Sequence, residues 1–182
     1  VQTQGSIIFD EKQILGKQIH EISNYGLGYV SENRDIFPDL TVQENLELGK
    51  KTNKYGIKWE IEELFDLFPN LKNRINVLGG VLSGGEQQML TICRSHMGCP
   101  KLIMIDEPTE GLSPQMVENV ENLLKNIAKK GVAILLVEQK LTIAFNLSSR
   151  LYVMGHGKIV YEGTPDEIKI NNTIVKEWLE VS

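Results

Sequence analysis

Cysteine is scarce in this chain. The two present, Cys93 and Cys99, have no second Cys/His pair at ligand spacing around them, which excludes a paired zinc site. They read as two reduced core thiols, with the cytosol as the default compartment. The histidines are few and scattered: His20, His96 and His156 stand apart in sequence and read as surface or packing residues rather than metal ligands. Positive charge is not in excess. The formal net charge of −5 excludes the basic face that nucleic acid requires and the polybasic patch that a membrane surface attracts. Long apolar runs are missing too: Val132 to Val137 is the longest aliphatic stretch, far short of the ~20 residues that cross a bilayer. Val1-Gln2-Thr3-Gln4-Gly5 lacks the basic-then-apolar order of a signal sequence. What is present is ordinary for a globular chain of 182 residues, 41% hydrophobic and 24% charged, and suits one domain with a sizeable core or with a helical insertion.

Along the chain, Ser6 to Asp10 and Gly26 to Val30 predict short strands, with weak helical character between Gly16 and Asn24. Ser31 to Asp35 is a polar loop. Thr41-Val42-Gln43-Glu44 has the form of a capping box and opens a helix to about Leu48. Ile61, Leu64, Phe65 and Phe68 share a helical face over Trp59 to Phe68, with Pro69-Asn70 as its stop. After Lys101 the pattern alternates. Leu102 to Ile105 and Val132 to Val137 are continuous apolar runs, separated by a helix from Pro114 to Ala128 and followed by one at Leu141 to Leu147. Strands without polar alternation predict a parallel sheet buried on both faces. Leu151 to Met154 and Lys158 to Glu162, joined through Gly155-His156-Gly157, are expected to complete it as a hairpin, and Pro165 to Leu179 reads as a helical tail.

Two segments carry chemistry. Leu102-Ile103-Met104-Ile105-Asp106-Glu107-Pro108 delivers two carboxylates past the end of a hydrophobic strand, where α/β sheets collect ligands. One carboxylate there can orient Mg²⁺ and the next can take a proton from water, although a polar turn after a strand explains the string as well. Leu82-Ser83-Gly84-Gly85-Glu86-Gln87-Gln88 opens a helix with free backbone N–H groups at the positive end of its dipole, a ready anion site. The plainer reading is a flexible turn with Ser83 as N-cap.

In this order and separation the two segments resemble the ATP-binding-cassette family, and the likeness extends over essentially the whole chain. Leu82 to Gln88 looks like its signature loop and Leu102 to Glu107 like its Walker B strand. Glu32 stands at the Q-loop position, Glu110-Gly111-Leu112-Ser113-Pro114 at the D-loop and Gln139 at the switch position. The resemblance implies an α/β fold of the P-loop NTPase type: a parallel sheet core flanked by helices, with a helical subdomain inserted. Residues 1–30 and 98–164 would form the core, 31–97 the helical subdomain and 165–182 a helical tail. It implies ATP and Mg²⁺ as cofactors, Glu107 as general base and Gln139 as a second catalytic group. Asp106 and Glu32 would serve Mg²⁺, partly through water. Ser83, Gly84, Gly85 and Glu86 would meet ATP held by a second ATPase subunit. Permease subunits, and through them an extracytoplasmic substrate-binding protein, would be the other partners. The chain would sit on the inner face of the cell membrane, with no role for nucleic acid.

Glu32 replaces the family's usual Gln, and Gln139 its usual His; an amide can hydrogen-bond a phosphate but cannot carry a proton's charge. Val137-Glu138-Gln139 and Glu107 to Leu112 resemble the branch that takes up branched-chain and related hydrophobic amino acids or urea. Missing is the string Gly-x-x-x-x-Gly-Lys-[Ser/Thr]: the pairs Gly16-Lys17, Gly49-Lys50 and Gly157-Lys158 lack both the hydroxyl and the upstream glycine. In the family that loop precedes the strand matching Gly5 to Phe9, so a piece lacking on the order of fifty N-terminal residues is expected, inactive in ATP turnover by itself. Tyr25 and Tyr29 are then poor candidates to stack on adenine. Phe37, Pro38 and Leu40 would face the permease or pack the base of their loop, and Trp59 and Trp178 would close helix packing. The alternatives are a urea importer subunit, a non-catalytic remnant, or a soluble cassette ATPase, the last usually with fused cassettes or coiled-coil insertions that this chain does not show.

Overall fold

The computed structural model describes residues 4–51 and 59–179. It divides into two compact units, Val1–Val137 and Glu138–Ser182.

The first unit is organised by a three-stranded parallel sheet in the order β3 (Leu27–Val30), β4 (Leu102–Asp106), β5 (Ala133–Val137). Register sets Tyr29 beside Met104 and Met104 beside Leu135, with Asp106 beside Val137 at the carboxyl edge. One face is core: Val30, Ile103 and Ile105 are each at most 1% exposed, and burying such a side chain stabilises by about 1.5–3 kcal/mol. The other face is open, with Tyr29 at 56%, Leu135 at 48% and Val137 at 53% exposure. The expectation of burial on both faces is therefore half right. An unbroken apolar run states that both faces tolerate burial, and only the packed helices decide which one receives it. Helices α5 (Gly84–Met97) and α6 (Pro114–Lys129) lie against β3 and β5 and account for the covered face.

The strand expected at Ser6 to Asp10 is reduced to β1 (Ile8–Phe9), which pairs antiparallel with β2 (Lys12–Gln13) and not with the parallel sheet. Asp10 and Glu11 make the turn with φ of 50° and 63°, a left-handed pair without the glycine that announces a hairpin in sequence. Helix α1 (Ile19–Asn24) follows. In α2 (Val42–Gly49) the capping box at Thr41 and Glu44 is formed as read. Gly49 ends α2 against α5 so closely that a side chain there would run into the Arg94 carbonyl. Helix α3 (Ile61–Leu67) stops before Pro69, but Pro69 also begins α4 (Pro69–Asn73) at its first position, where a missing N–H costs nothing. Trp59 is 1% exposed and meets the fully buried His96 edge-on at 4.5 Å. Burial first, then the Lys130 charge, push the His96 imidazole down to about 4, with Glu63 opposing. Cys93 and Cys99 are free and buried, and burial pushes the Cys93 thiol up to about 12, as befits an inert core residue.

The second unit holds α7 (Leu141–Leu147), strands β6 (Leu151–Gly155) and β7 (Lys158–Gly163), and α8 (Pro165–Ile170), then α9 (Asn172–Ile174) running into a π-helical turn at Val175–Leu179. The hairpin forms as read, through His156 at φ 49° and Gly157 at φ 75°. It does not complete the parallel sheet. Its strands form a separate two-stranded sheet.

Candidate functional site

Strand β4 ends at Asp106, and the backbone then turns at Glu107 with φ 40°. A non-glycine residue in the left-handed region, directly before Pro108, is sterically disfavoured and persists only where its surroundings hold it. The Glu107 N–H donates to the Val137 carbonyl at 2.9 Å, continuing the β4–β5 pairing by one step. The turn closes with the Glu110 N–H on the Glu107 carbonyl at 3.2 Å, Gly111 at φ 64°, and Ser113 capping α6. Asp106 and Glu107 are half-buried. Glu110 hydrogen-bonds through its side chain to Glu107 and lies beside Glu32; Glu107 first, then Glu32, hold its carboxyl above the usual range. Three carboxylates thus crowd one edge of the sheet, with Asp106 immediately before them. Such a group shares a proton.

The second turn is relaxed. Ser83 is the N-cap of the 14-residue α5, its Oγ accepting from the Glu86 N–H at 3.4 Å. Glu86 Oε2 accepts from the Ser83 N–H at 2.8 Å and from its hydroxyl at 2.7 Å, while Oε1 pairs with Arg74 at 3.2 Å. Helix geometry leaves the Gly84 and Gly85 N–H groups without intrahelical acceptors. Leu82 anchors the turn at 5% exposure while Ser83 is exposed. The chain before it is fastened to residues 37–40: the Gly79 N–H donates to the Leu40 carbonyl at 2.8 Å and the Gly80 N–H to that of Pro38 at 2.9 Å. Asn45, fully buried, donates to the Phe37, Leu40 and Thr41 carbonyls. Phe37 remains 47% exposed, with the Arg94 guanidinium 4.9 Å from its ring.

A family model for ABC transporters matches residues 1–110. The chain belongs to the ABC transporter family. Within it the chain is one of the ATP-hydrolysing cassettes. It is 35% identical to the high-affinity branched-chain amino acid transport ATP-binding protein BraG of Pseudomonas aeruginosa, over 96% of this chain and 76% of that one. It is 30% identical to the lipopolysaccharide export system ATP-binding protein LptB of Haemophilus influenzae, over 98% of this chain and 75% of that one. Among solved structures, an ATP-binding cassette of an ABC transporter superposes with a TM-score of 0.78 at 30% identity, covering 95% of this chain and 75% of that one. A nucleotide-free cassette gives 0.79 at 29% identity, covering 98% and 78%.

With the cassette frame in place, the predicted residues sort by position. Asp106, Glu107 and Glu32 gather at one edge of the sheet, and Ser83, Gly84 and Gly85 form a capped helix start. Glu86 faces Ser83 and Arg74, so its carboxylate orients the serine and pairs with the guanidinium. Gln139 belongs to the second unit, two residues past the end of β5. Two participants were not assigned a role from sequence. Glu110 was placed in the D-loop by order alone, and its carboxyl contact with Glu107 and Glu32 emerges only in the fold. Arg34, whose guanidinium donates to the Glu110 carbonyl at 3.1 Å, had no local signal at all. For Mg²⁺ the donor set is hard oxygen, as the ion requires. Among the described residues no group of three or more His, Cys, Asp or Glu side chains is arranged to hold a metal by itself, which suits an ion carried mainly by phosphate and water. Among the described residues no helix is long and apolar enough to cross a membrane.

Proposed function

We propose that this cassette is the ATP-binding subunit of an importer for branched-chain or related hydrophobic amino acids. The likeness to BraG over 96% of the chain carries the reading, and the Glu107 to Leu112 and Val137 to Gln139 strings support it. Asp106 and Glu32 would hold Mg²⁺, which when bound neutralises phosphate charge. Glu107 takes the proton of the attacking water on its carboxylate. Glu110, hydrogen-bonded to Glu107, steadies that carboxylate. The Ser83 hydroxyl and the Gly84 and Gly85 N–H groups receive the terminal phosphate of ATP held by a second ATPase subunit. Gln139 donates a hydrogen bond to phosphate through its carboxamide and, being uncharged, holds its role across pH. Phe37 and the segment around it meet the permease, which keeps the chain at the inner face of the membrane and links it to an extracytoplasmic binding protein.

The test is transport in vesicles containing the assembled permease complex. Labelled leucine should enter with ATP and cease to enter when Glu107→Gln replaces the wild-type chain. ATP turnover that responds to urea, a sugar or lipopolysaccharide but not to leucine would overturn the substrate assignment.

A further inference from the structure

Arg34 stands two residues after Glu32 in a loop that local sequence reads only as polar. Its φ is 52°, a left-handed backbone that a side-chain-bearing residue rarely holds. From this bend its Nη2 reaches the Glu110 carbonyl at 3.1 Å, across 76 residues of sequence. Its Nη1 lies where a side chain on the first glycine of the signature turn would be: a Cβ built on Gly84 meets Nη1 at 2.5 Å and Cζ at 3.3 Å. A Cβ on Gly111 would meet Nη2 at 3.5 Å. One planar guanidinium therefore sits between the glycine of one nucleotide-facing turn and the carbonyl of the other.

We propose that Arg34 is a positioning residue: it locks the D-loop to the signature turn within one chain and ties both to the loop carrying Glu32. The inference rests on the ATPase reading above for its functional half. Hydrogen bonds within the D-loop run from the Glu110 N–H to the Glu107 carbonyl at 3.2 Å and from the Leu112 N–H to the Thr109 carbonyl at 3.4 Å, and Arg34 adds one from outside the turn. Glu32, Glu107 and Glu110 repel one another when ionised. Arg34 acts on this turn through a backbone carbonyl, so it fixes the path of the chain rather than titrating with the carboxylates. Arginine suits the place by shape: one arm of the rigid fork donates to the Glu110 carbonyl while the other packs against Gly84, whereas a lysine offers a single point charge. A methyl group at Gly84 would meet Nη1 at 2.5 Å and push the fork aside.

The experiment is amide hydrogen exchange on the full chain, comparing Arg34→Ala, Arg34→Lys and Gly84→Ala. Residues 109–112 should exchange about five- to tenfold faster in Arg34→Ala, the factor for one lost hydrogen bond of ordinary strength, while β4 and α6 exchange as before. Gly84→Ala should reproduce the effect with Arg34 intact, and Arg34→Lys should fall between. In the assembled transporter Arg34→Ala should lower kcat for ATP with KM unchanged. Unchanged exchange at 109–112, or a uniform rise over the whole first unit, overturns the proposal. Because exchange needs no nucleotide, that failure is separate from a failure of the ATPase reading, which would show as absent turnover in the wild-type complex. Faster exchange with normal kcat, in a complex that hydrolyses ATP, overturns the functional half.

Discussion

The turn before helix α5 and the turn after strand β4 lie on either side of one guanidinium, yet they are built oppositely. At Ser83 every group of the cap is satisfied: hydroxyl, N–H and carboxylate close a reciprocal box, and Arg74 neutralises Glu86. At Glu107 the backbone is left-handed before a proline, and Glu110 brings a second carboxyl against it. The first turn is stable in the absence of any ligand and offers N–H groups. The second is held under strain and carboxylate repulsion. The proposed function uses both: the first turn as a fixed receiver for phosphate, the second as a reactive edge whose groups would not assemble for stability alone.

Substitutions can break this contrast. The largest effect belongs to Glu107→Gln, which should lower ATP turnover of the transporter by roughly 10²–10⁴-fold. Thermal unfolding of the chain should show no loss of stability, because the change removes a charge from a crowded edge. A clear drop in melting temperature would show that Glu107 is a structural residue. Next is Ser83→Ala, where loss of the cap should cost about 1 kcal/mol in urea unfolding of the first unit. An unchanged urea midpoint would mean that the box stabilises nothing.

The remaining two effects are read in pH. Glu110 is raised by Glu107 and then Glu32, so its contribution favours the folded state below its ordinary 4.5 and is lost as pH rises through the raised value. Glu110→Gln should flatten the decline of melting temperature from that pH toward neutrality. Glu44 is the mirror case and the smallest. Its hydrogen bonds from the Thr41 backbone and then hydroxyl hold it below 4.5, so its contribution is present above that pH and lost as pH falls through the lowered value. Glu44→Gln should therefore cost stability near neutrality and nothing in acid. Equal slopes for both variants would erase the distinction between a relaxed cap and a crowded edge.

What could be read from sequence was local. The Thr41–Glu44 box, the Ser83 cap, the run into Asp106 and the His156-Gly157 turn each depend on neighbours within a few residues, and each is present in the fold. What escaped depended on distance or on missing punctuation. The β1–β2 turn has no glycine, so nothing marks it. Pro69 was read as a terminator, although the same fixed φ also opens a helix. Leu135 and Val137 are as apolar as Ile103 and Ile105, and composition cannot say which side of a sheet a helix will cover. The contact of Arg34 with Glu110 joins residues that share no pattern, and only the close approach at Gly84 made room for it.

The packing of Trp59 gives the protein an optical gauge of its own. The indole is sealed from water, lies edge-on to a neutral imidazole and has the Lys130 ammonium 4.2 Å above its ring. Its emission should therefore be blue-shifted. It should dim when the neighbouring His96 takes up a proton, so light alone can follow the integrity of the helical side of the first unit.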